Sequence, residues 1–348
     1  MIRRTKININ YSNKNKLQSL DVLFEESKRV INEFIKKLWE KKDFSSKFIN
    51  FKIEDSWISA RLQQCLGKQA LEIIKSQRKK KKKSIPVFDK NVINLDQRFI
   101  DVQFDKNSFD IWIKLISIGN KIILKLPSKK HKHFHKFNSW KLNKSCRLIK
   151  FDGNYFFELF FENEIPQKKN KGKIIGLDCG YKKLLISSEN KIYDSGLEQI
   201  YEKISKKKQG SLAFKRALKE RDIKINESVN KINLSEIQQI IIEDLKNVKK
   251  NSKRKIFKKF NNKLQRWSYS KVLDRLNQHC EEQGITFIKV NPSYTSQICS
   301  SCGSIHNESR LGENYKCIEC GFEIDADLNA AINILQRGVY SPSSTKKT

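Results

Sequence analysis

A chain that carries Cys299 and Cys302, fourteen further residues, and then Cys317 and Cys320 brings four thiols to one point before it can finish folding. Four thiolates in two CxxC knuckles suit tetrahedral Zn2+ and leave no coordination position open to a substrate. The spacing therefore predicts a closed, structural zinc site. Gly303 and Gly321 follow the knuckles directly and permit the tight turns that wrap an ion. An iron–sulfur centre takes the same ligands, but nothing else in the sequence points to redox chemistry. The other cysteines, Cys65, Cys146, Cys179 and Cys280, are scattered and read as small buried apolar residues. Paired cysteines in a long chain whose first residues lack a secretory signal imply metal in a reducing compartment, not a disulfide framework.

The formal net charge of +33 over 348 residues is far more than solubility requires, and in a folded protein it implies a polyanionic partner. A membrane surface is the competing polyanion, yet no stretch approaches 18 consecutive apolar residues. Nucleic acid is the expected partner, with no membrane, in the cytoplasm and on the nucleoid when DNA is engaged.

The first half alternates between two patterns. Residues 5–11, TKININY, alternate as a strand does. Residues 14–41 place Leu17, Leu20, Phe24, Ile31, Phe34, Ile35 and Leu38 at helical spacing under a basic outer face. A second helix is expected over 53–77, running into RKKKKK at 78–83, which reads as a solvated loop or a phosphate-facing segment. Short alternating segments then follow at 92–96, 99–104, 108–113, 121–126, 147–151 and 155–162. Asn, Gly and Asp punctuate them, so an antiparallel sheet or small barrel is expected, joined by the first strand with the helices as an insertion. QKKNKGK at 167–173 reads as a linker.

In the second half, KIIGLD at 173–178 is a strand ending in Asp178, and 183–187 and 191–193 look like the next two strands. Residues 197–227 are mostly helical. IQQIIIE at 237–243 is a strand ending in Glu243. A very basic stretch, 244–266, leads into a helix that Gly284 ends, and 285–290 is another strand. Asp327 heads a last helix, seven residues past Cys320, with Leu328, Ala331, Ile332 and Leu335 as its expected apolar stripe. Three strands in hairpin sequence followed by helix, strand and helix give an RNase H-like arrangement. Its three isolated acids, Asp178, Glu243 and Asp327, suit Mg2+, a hard ion that prefers oxygen ligands, and two such ions cleave phosphodiesters. Acids at strand ends and helix starts are also common without function, and a start-of-helix Asp can simply cap. Spacing does not separate Asp325 from Asp327.

Six motifs in order carry a resemblance: GLDCG at 176–180, IIIEDLKNV at 240–248, RWSYSKVLDRL at 266–276, NPSYTSQICSSCG at 291–303, YKCIECG at 315–321 and DADLNAAINIL at 325–335. The chain resembles the TnpB family of transposon-encoded nucleases, relatives of compact type V CRISPR effectors, firmly over 172–338 and in outline before that. The resemblance implies that Asp178, Glu243 and Asp327 form a RuvC-like catalytic centre binding Mg2+, expected as two ions. Asp327 is preferred to Asp325 because it directly precedes the LNAA segment. Cys299, Cys302, Cys317 and Cys320 would hold one structural Zn2+ in a ribbon that handles target nucleic acid. Ala326 stands where many relatives carry arginine, so any help from that arginine is absent.

The fold class this implies is multidomain α+β. A wedge-like N-terminal β-barrel (1–13 and 85–166) would be interrupted by a helical recognition insertion (14–84). A RuvC-like α/β domain (172–290 and 323–338) would hold an inserted four-cysteine zinc ribbon (291–322), and a disordered tail (339–348) would follow. The implied function is RNA-guided DNA cleavage, one chain per guide RNA transcribed from the transposon end, on double-stranded DNA bearing a short flanking motif. The rival readings are a nuclease-inactive RNA-guided repressor, which some family members become by losing acids retained here, and a DNA strand-transfer transposase.

Overall fold

The computed structural model describes residues 1–41, 49, 51–80, 84–106, 108–117, 119, 122–194, 196–245 and 268–340. Residues 81–83 of the lysine run, most of the basic stretch at 244–266 and residues 341–348 of the tail lie outside the described residues. The chain divides into two units, Met1–Glu164 and Ile165–Thr348.

In the first unit, strand β1 (Ile2–Asn8) precedes helix α1 (Lys14–Lys41), whose bounds coincide with the predicted helix. Helix α2 (Ala60–Lys79) starts seven residues later than the apolar spacing suggests. Ser59 caps it, its side chain accepting from the Leu62 N–H, and the amide of Gln63 holds the segment before the cap by bonding both backbone groups of Ile53. Strands β2 (Val92–Leu95), β3 (Ile100–Lys106), β4 (Phe109–Ile116), β5 (Ile123–Ser128), β6 (Lys141–Phe151) and β7 (Asn154–Glu162) follow.

The expected barrel does not form. The strands make two open sheets, a four-stranded one in the order β1-β7-β6-β2 and a separate meander, β3-β4-β5. Strand β2 is only four residues long and ends in a turn at Asp96, whose carbonyl and carboxylate accept from Phe99 N–H and Arg98 N–H. That turn passes the chain to the second sheet instead of letting β2 reach β1. Burial is completed by α1 and α2, whose apolar faces join both sheets in one core.

The second unit opens with β8 (Lys173–Asp178), β9 (Leu185–Ser187) and β10 (Ile192–Tyr193), then helices α3 (Leu197–Ser205) and α4 (Leu212–Asn230). The single helical region expected at 197–227 is split at Gly210, with φ of +85°, and Ser211 caps the second helix. Then come β11 (Ile237–Glu243), α5 (Tyr269–Glu282), β12 (Thr286–Val290), three short strands β13 (Arg310–Leu311), β14 (Asn314–Lys316) and β15 (Glu323–Asp325), and α6 (Ala326–Tyr340). The main sheet has the order β10-β9-β8-β11-β12. The hairpin strands are antiparallel, while β8, β11 and β12 are parallel. This is RNase H-like topology, with helices on both faces.

Side-chain alternation assigns the faces. Ile175, Leu177, Ile240 and Ile242 pack with α3, α4 and α5, whereas Ile174 and Ile241 pack with Ile334 and Leu335 of α6. Gly176 lies on the α6 side. A Cβ there would stand 2.2 Å from the Ala331 carbonyl oxygen and 2.7 Å from the Leu335 nitrogen, so only glycine lets the helix come this close. Gly176→Ala should force helix and strand apart and cost about 1–3 kcal/mol, measured by chemical denaturation. An unchanged midpoint would contradict this packing.

Candidate active site and metal centre

The same alternation that puts Gly176 toward α6 puts Asp178 there, and Ile241 does so for Glu243. In the parallel register, Ile242 pairs with Leu177, so the two acids end neighbouring strands one residue further on, on one face. Helix α6 begins on that face, with Asp327 in its first turn.

Asp178 lies within reach of the charges of the other two acids. Burial raises the Asp178 carboxyl most, and the charges of Glu243 and Asp327 push it further, to about 8, against a smaller opposing effect of Arg310. Burial also raises Glu243, although the Thr295 hydroxyl donates to its carboxylate and Arg337 and Arg310 lie near enough to pull the other way. The Arg310 guanidinium, from β13, donates to Asp327 Oδ1 at 2.9 Å. Lys183, which follows β8, stands 3.9 Å from Asp327 Oδ2. A guanidinium thus reaches this acid from the ribbon, although position 326 itself is alanine.

Asp325 has a different task. Its Oδ1 accepts from the backbone N–H groups of Asp327 and Leu328, at 3.0 and 3.1 Å, and its Oδ2 accepts from Lys183 at 2.6 Å. It caps α6 and fixes the turn that carries Asp327. Burial raises its carboxyl, but Lys183 and these N–H groups outweigh burial and hold it below the usual range.

The four cysteines lie on the ribbon as expected, with all four Sγ atoms within 4.8 Å of one another. The Sγ–Sγ distances are 3.8 Å for Cys299–Cys320 and 3.6 Å for Cys302–Cys317. A tetrahedron with Zn–S arms of about 2.3 Å has edges of about 3.8 Å, so the cluster fits structural zinc. The Cys317 thiol is pushed down to about 6 by the Ser304 hydroxyl and the Cys320 backbone N–H, which readies it as a thiolate. Among the described residues no other group of three such side chains gathers as tightly. The acids converge on one region without closing into a ligand shell.

Helix α6 ties the two centres together. Asn329 takes Ser300 N–H and donates to the Ile298 carbonyl, at 2.9 and 2.8 Å. Asn333 donates to the carbonyls of Thr295 and Ile298, and Arg337 to those of Asn291 and Ser293. These residues, four apart, form one face against the first knuckle. The buried set is therefore not the expected stripe: Asn329, Ala330, Ala331, Asn333 and Ile334 are buried, whereas Leu328, Ile332 and Leu335 are only half-buried. Sequence reasoning missed the two asparagines, although an i,i+4 amide pair inside an apolar helix was a readable signal. It also missed Thr295, Lys183 and Arg310, for which no sequence pattern stands out.

A 3-2-1-4-5 sheet with acids at its strand ends and a four-cysteine ribbon before its last helix defines a RuvC-like protein with a zinc ribbon. Residues 269–334 match the Cas12f1-like TNB domain family. A protein of Methanocaldococcus jannaschii named as a transposase is 36% identical over 96 residues, covering 23% of this chain and 84% of that protein. A CRISPR-associated endodeoxyribonuclease Cas12f1 of Sulfoacidibacillus thermotolerans is 44% identical over 96 residues, 27% of this chain. The chain spans only 21% of that Cas12f1, and 14% and 12% of two others. A cryo-electron-microscopy structure of a Cas12f1–sgRNA–target DNA complex covers 96% of this chain and 98% of its own at a TM-score of 0.59 and 12% identity, a likeness of fold. The chain belongs to the TnpB/Cas12f family of compact type V CRISPR-associated nucleases. Among the described residues no helix is long and apolar enough to cross a membrane.

Two outcomes follow from this geometry. The metal-free folded protein keeps the Asp178 proton up to about pH 8, whereas the unfolded chain releases it near 3.8. The folded state binds more protons across that window, so this group lowers stability as pH rises through it. The melting temperature of Asp178→Asn relative to the parent should therefore climb between pH 5 and 8. A difference constant with pH would count against a raised Asp178 carboxyl. Second, Cys317→Ser should release zinc, measured by metal analysis of the purified protein, and lower the melting temperature. Full retention of zinc would contradict the four-thiolate site.

Proposed function

We propose that the protein is a metal-dependent, RNA-guided DNA endonuclease. The observation that carries this is the convergence of Asp178, Glu243 and Asp327 on one face, where burial most of all, and then the charges of the other two, raise the Asp178 carboxyl. Such a cluster costs stability unless cations offset it, and oxygen donors suit Mg2+. When bound, a pair of Mg2+ ions supplies an activated water and stabilises the leaving oxygen of a phosphodiester.

The protein's own groups do the rest. Asp178, Glu243 and Asp327 would hold the ions, and Thr295 orients the Glu243 carboxylate. Asp325, held by Lys183, fixes the turn that presents Asp327. Arg310, which pairs with Asp327, would bring positive charge toward a bound phosphate. The zinc ribbon handles target DNA and anchors α6. The excess of positive charge holds a guide heteroduplex by its backbone, with sequence read by pairing and a short flanking duplex motif read by the protein. A transposon-end transcript as the guide agrees with the transposase-named relative.

The test uses protein purified with its copurifying RNA, which is sequenced to define the guide. Asp178→Ala should reduce Mg2+-dependent cleavage of a matching duplex to background while RNA and DNA binding stay near the parent's. Full cleavage by that variant would remove Asp178 from the reaction. Strand joining of transposon ends without guided cutting would favour a transposase instead.

A further inference from the structure

The meander β3-β4-β5 has two unlike faces. Ile111, Ile113, Leu115 and Leu126 are buried in the core of the first unit. Between them, Trp112 and Lys114 of β4 stand on the opposite face. Their register partners there are Gln103 and Asp101 on the edge strand β3, and Pro127 and Lys125 on β5. Where β4 begins, three half-buried or exposed rings adjoin in series across the strand end, Phe109 having the parity of the buried Ile111 and Trp112 having its indole nitrogen buried. Tyr11 and Phe109 lie 5.6 Å apart between centroids, and Phe109 meets Trp112 edge-on at 5.7 Å. The Lys129 ammonium stands 5.7 Å from the Tyr11 ring and 6.0 Å from that of Phe109. None of the three rings belongs to the apolar core or packs directly against it, and Tyr11 is 51% exposed.

We propose that this face is a stacking platform for unpaired nucleotides of RNA. The inference rests on the reading of the protein as RNA-bound. Aromatic rings outside a core, with lysines interleaved, are what single strands require: every base has a face to stack, and every nucleotide brings a phosphate. Lys125 and Lys129 are exposed and Lys114 is half-exposed on the same sheet, which supplies the complementary charge. The edge strand favours RNA over DNA. Gln103 donates to the Asp101 carboxylate at 3.1 Å, and both side chains are exposed. A carboxylate repels the phosphates of either polymer, but only RNA carries a 2′-hydroxyl that can donate to it.

The experiment exposes the full chain to a labelled single-stranded oligouridylate, crosslinks with ultraviolet light and maps the modified peptides. Modification is expected at Tyr11, Phe109 or Trp112. In equilibrium binding, Tyr11→Ala and Trp112→Ala should each weaken association about tenfold, while Tyr11→Phe and Trp112→Phe keep it. Melting curves check that each variant is folded, and Tyr11, being exposed, serves as the variant least able to disturb the core. The matching oligodeoxyuridylate should bind more weakly. Crosslinks confined to other surfaces, alanine variants that bind like the parent, or DNA bound as tightly as RNA would each overturn the platform. If those failures came with strong RNA binding elsewhere, the guided-nuclease reading would survive. A chain that bound no nucleic acid at all would end both.

Discussion

Helix α6 lies with its backbone almost touching β8, because Gly176 presents no side chain to hold it away. That approach puts the first turn of the helix over the ends of β8 and β11, where strand alternation has already turned Asp178 and Glu243 to the same side. The acids do not attract one another. Packing elsewhere on the helix and sheet, through Ile174, Ile241 and Ile334, keeps them together against their repulsion. Burial, and after it the charges of the other two acids, make Asp178 reluctant to lose its proton.

The far side of the same helix faces the ribbon. Its buried asparagines answer backbone groups of the first knuckle, while Arg310 and Lys183 bring positive charge to the helix start. The cap at Asp325 is where these influences meet: strand β15 ends there, the helix starts there, and Lys183 binds there. The geometry of Asp327 is thus set by the sheet, the ribbon and the cap together.

Much of this was legible in the sequence for physical reasons that can be named. The cysteine spacing declared a closed zinc site because thiolate geometry leaves few alternatives. Helix α1 was readable because its apolar spacing is regular, and the acids stood out because each closes or opens an apolar element. What failed depended on long-range geometry. Whether the first-half strands closed into a barrel depended on the turn at Asp96 and the length of β2, neither of which a period-two pattern encodes. Helix α2 began late because Gln63 satisfies the backbone of the preceding segment, a tertiary bond invisible in local spacing. Asp325 and Asp327 could not be told apart by spacing because both sit at the helix start; only their partners distinguish them.

The asparagine face of α6 has one more consequence. Asn329 and Asn333 grip main-chain groups at positions 295, 298 and 300, so these two amides recognise the path of the knuckle's backbone and not the side chains strung along it. The outward residues of this segment can therefore change without disturbing these backbone contacts. The joint behaves as a socket of fixed shape, into which ribbons of differing sequence but equal backbone course can be fitted.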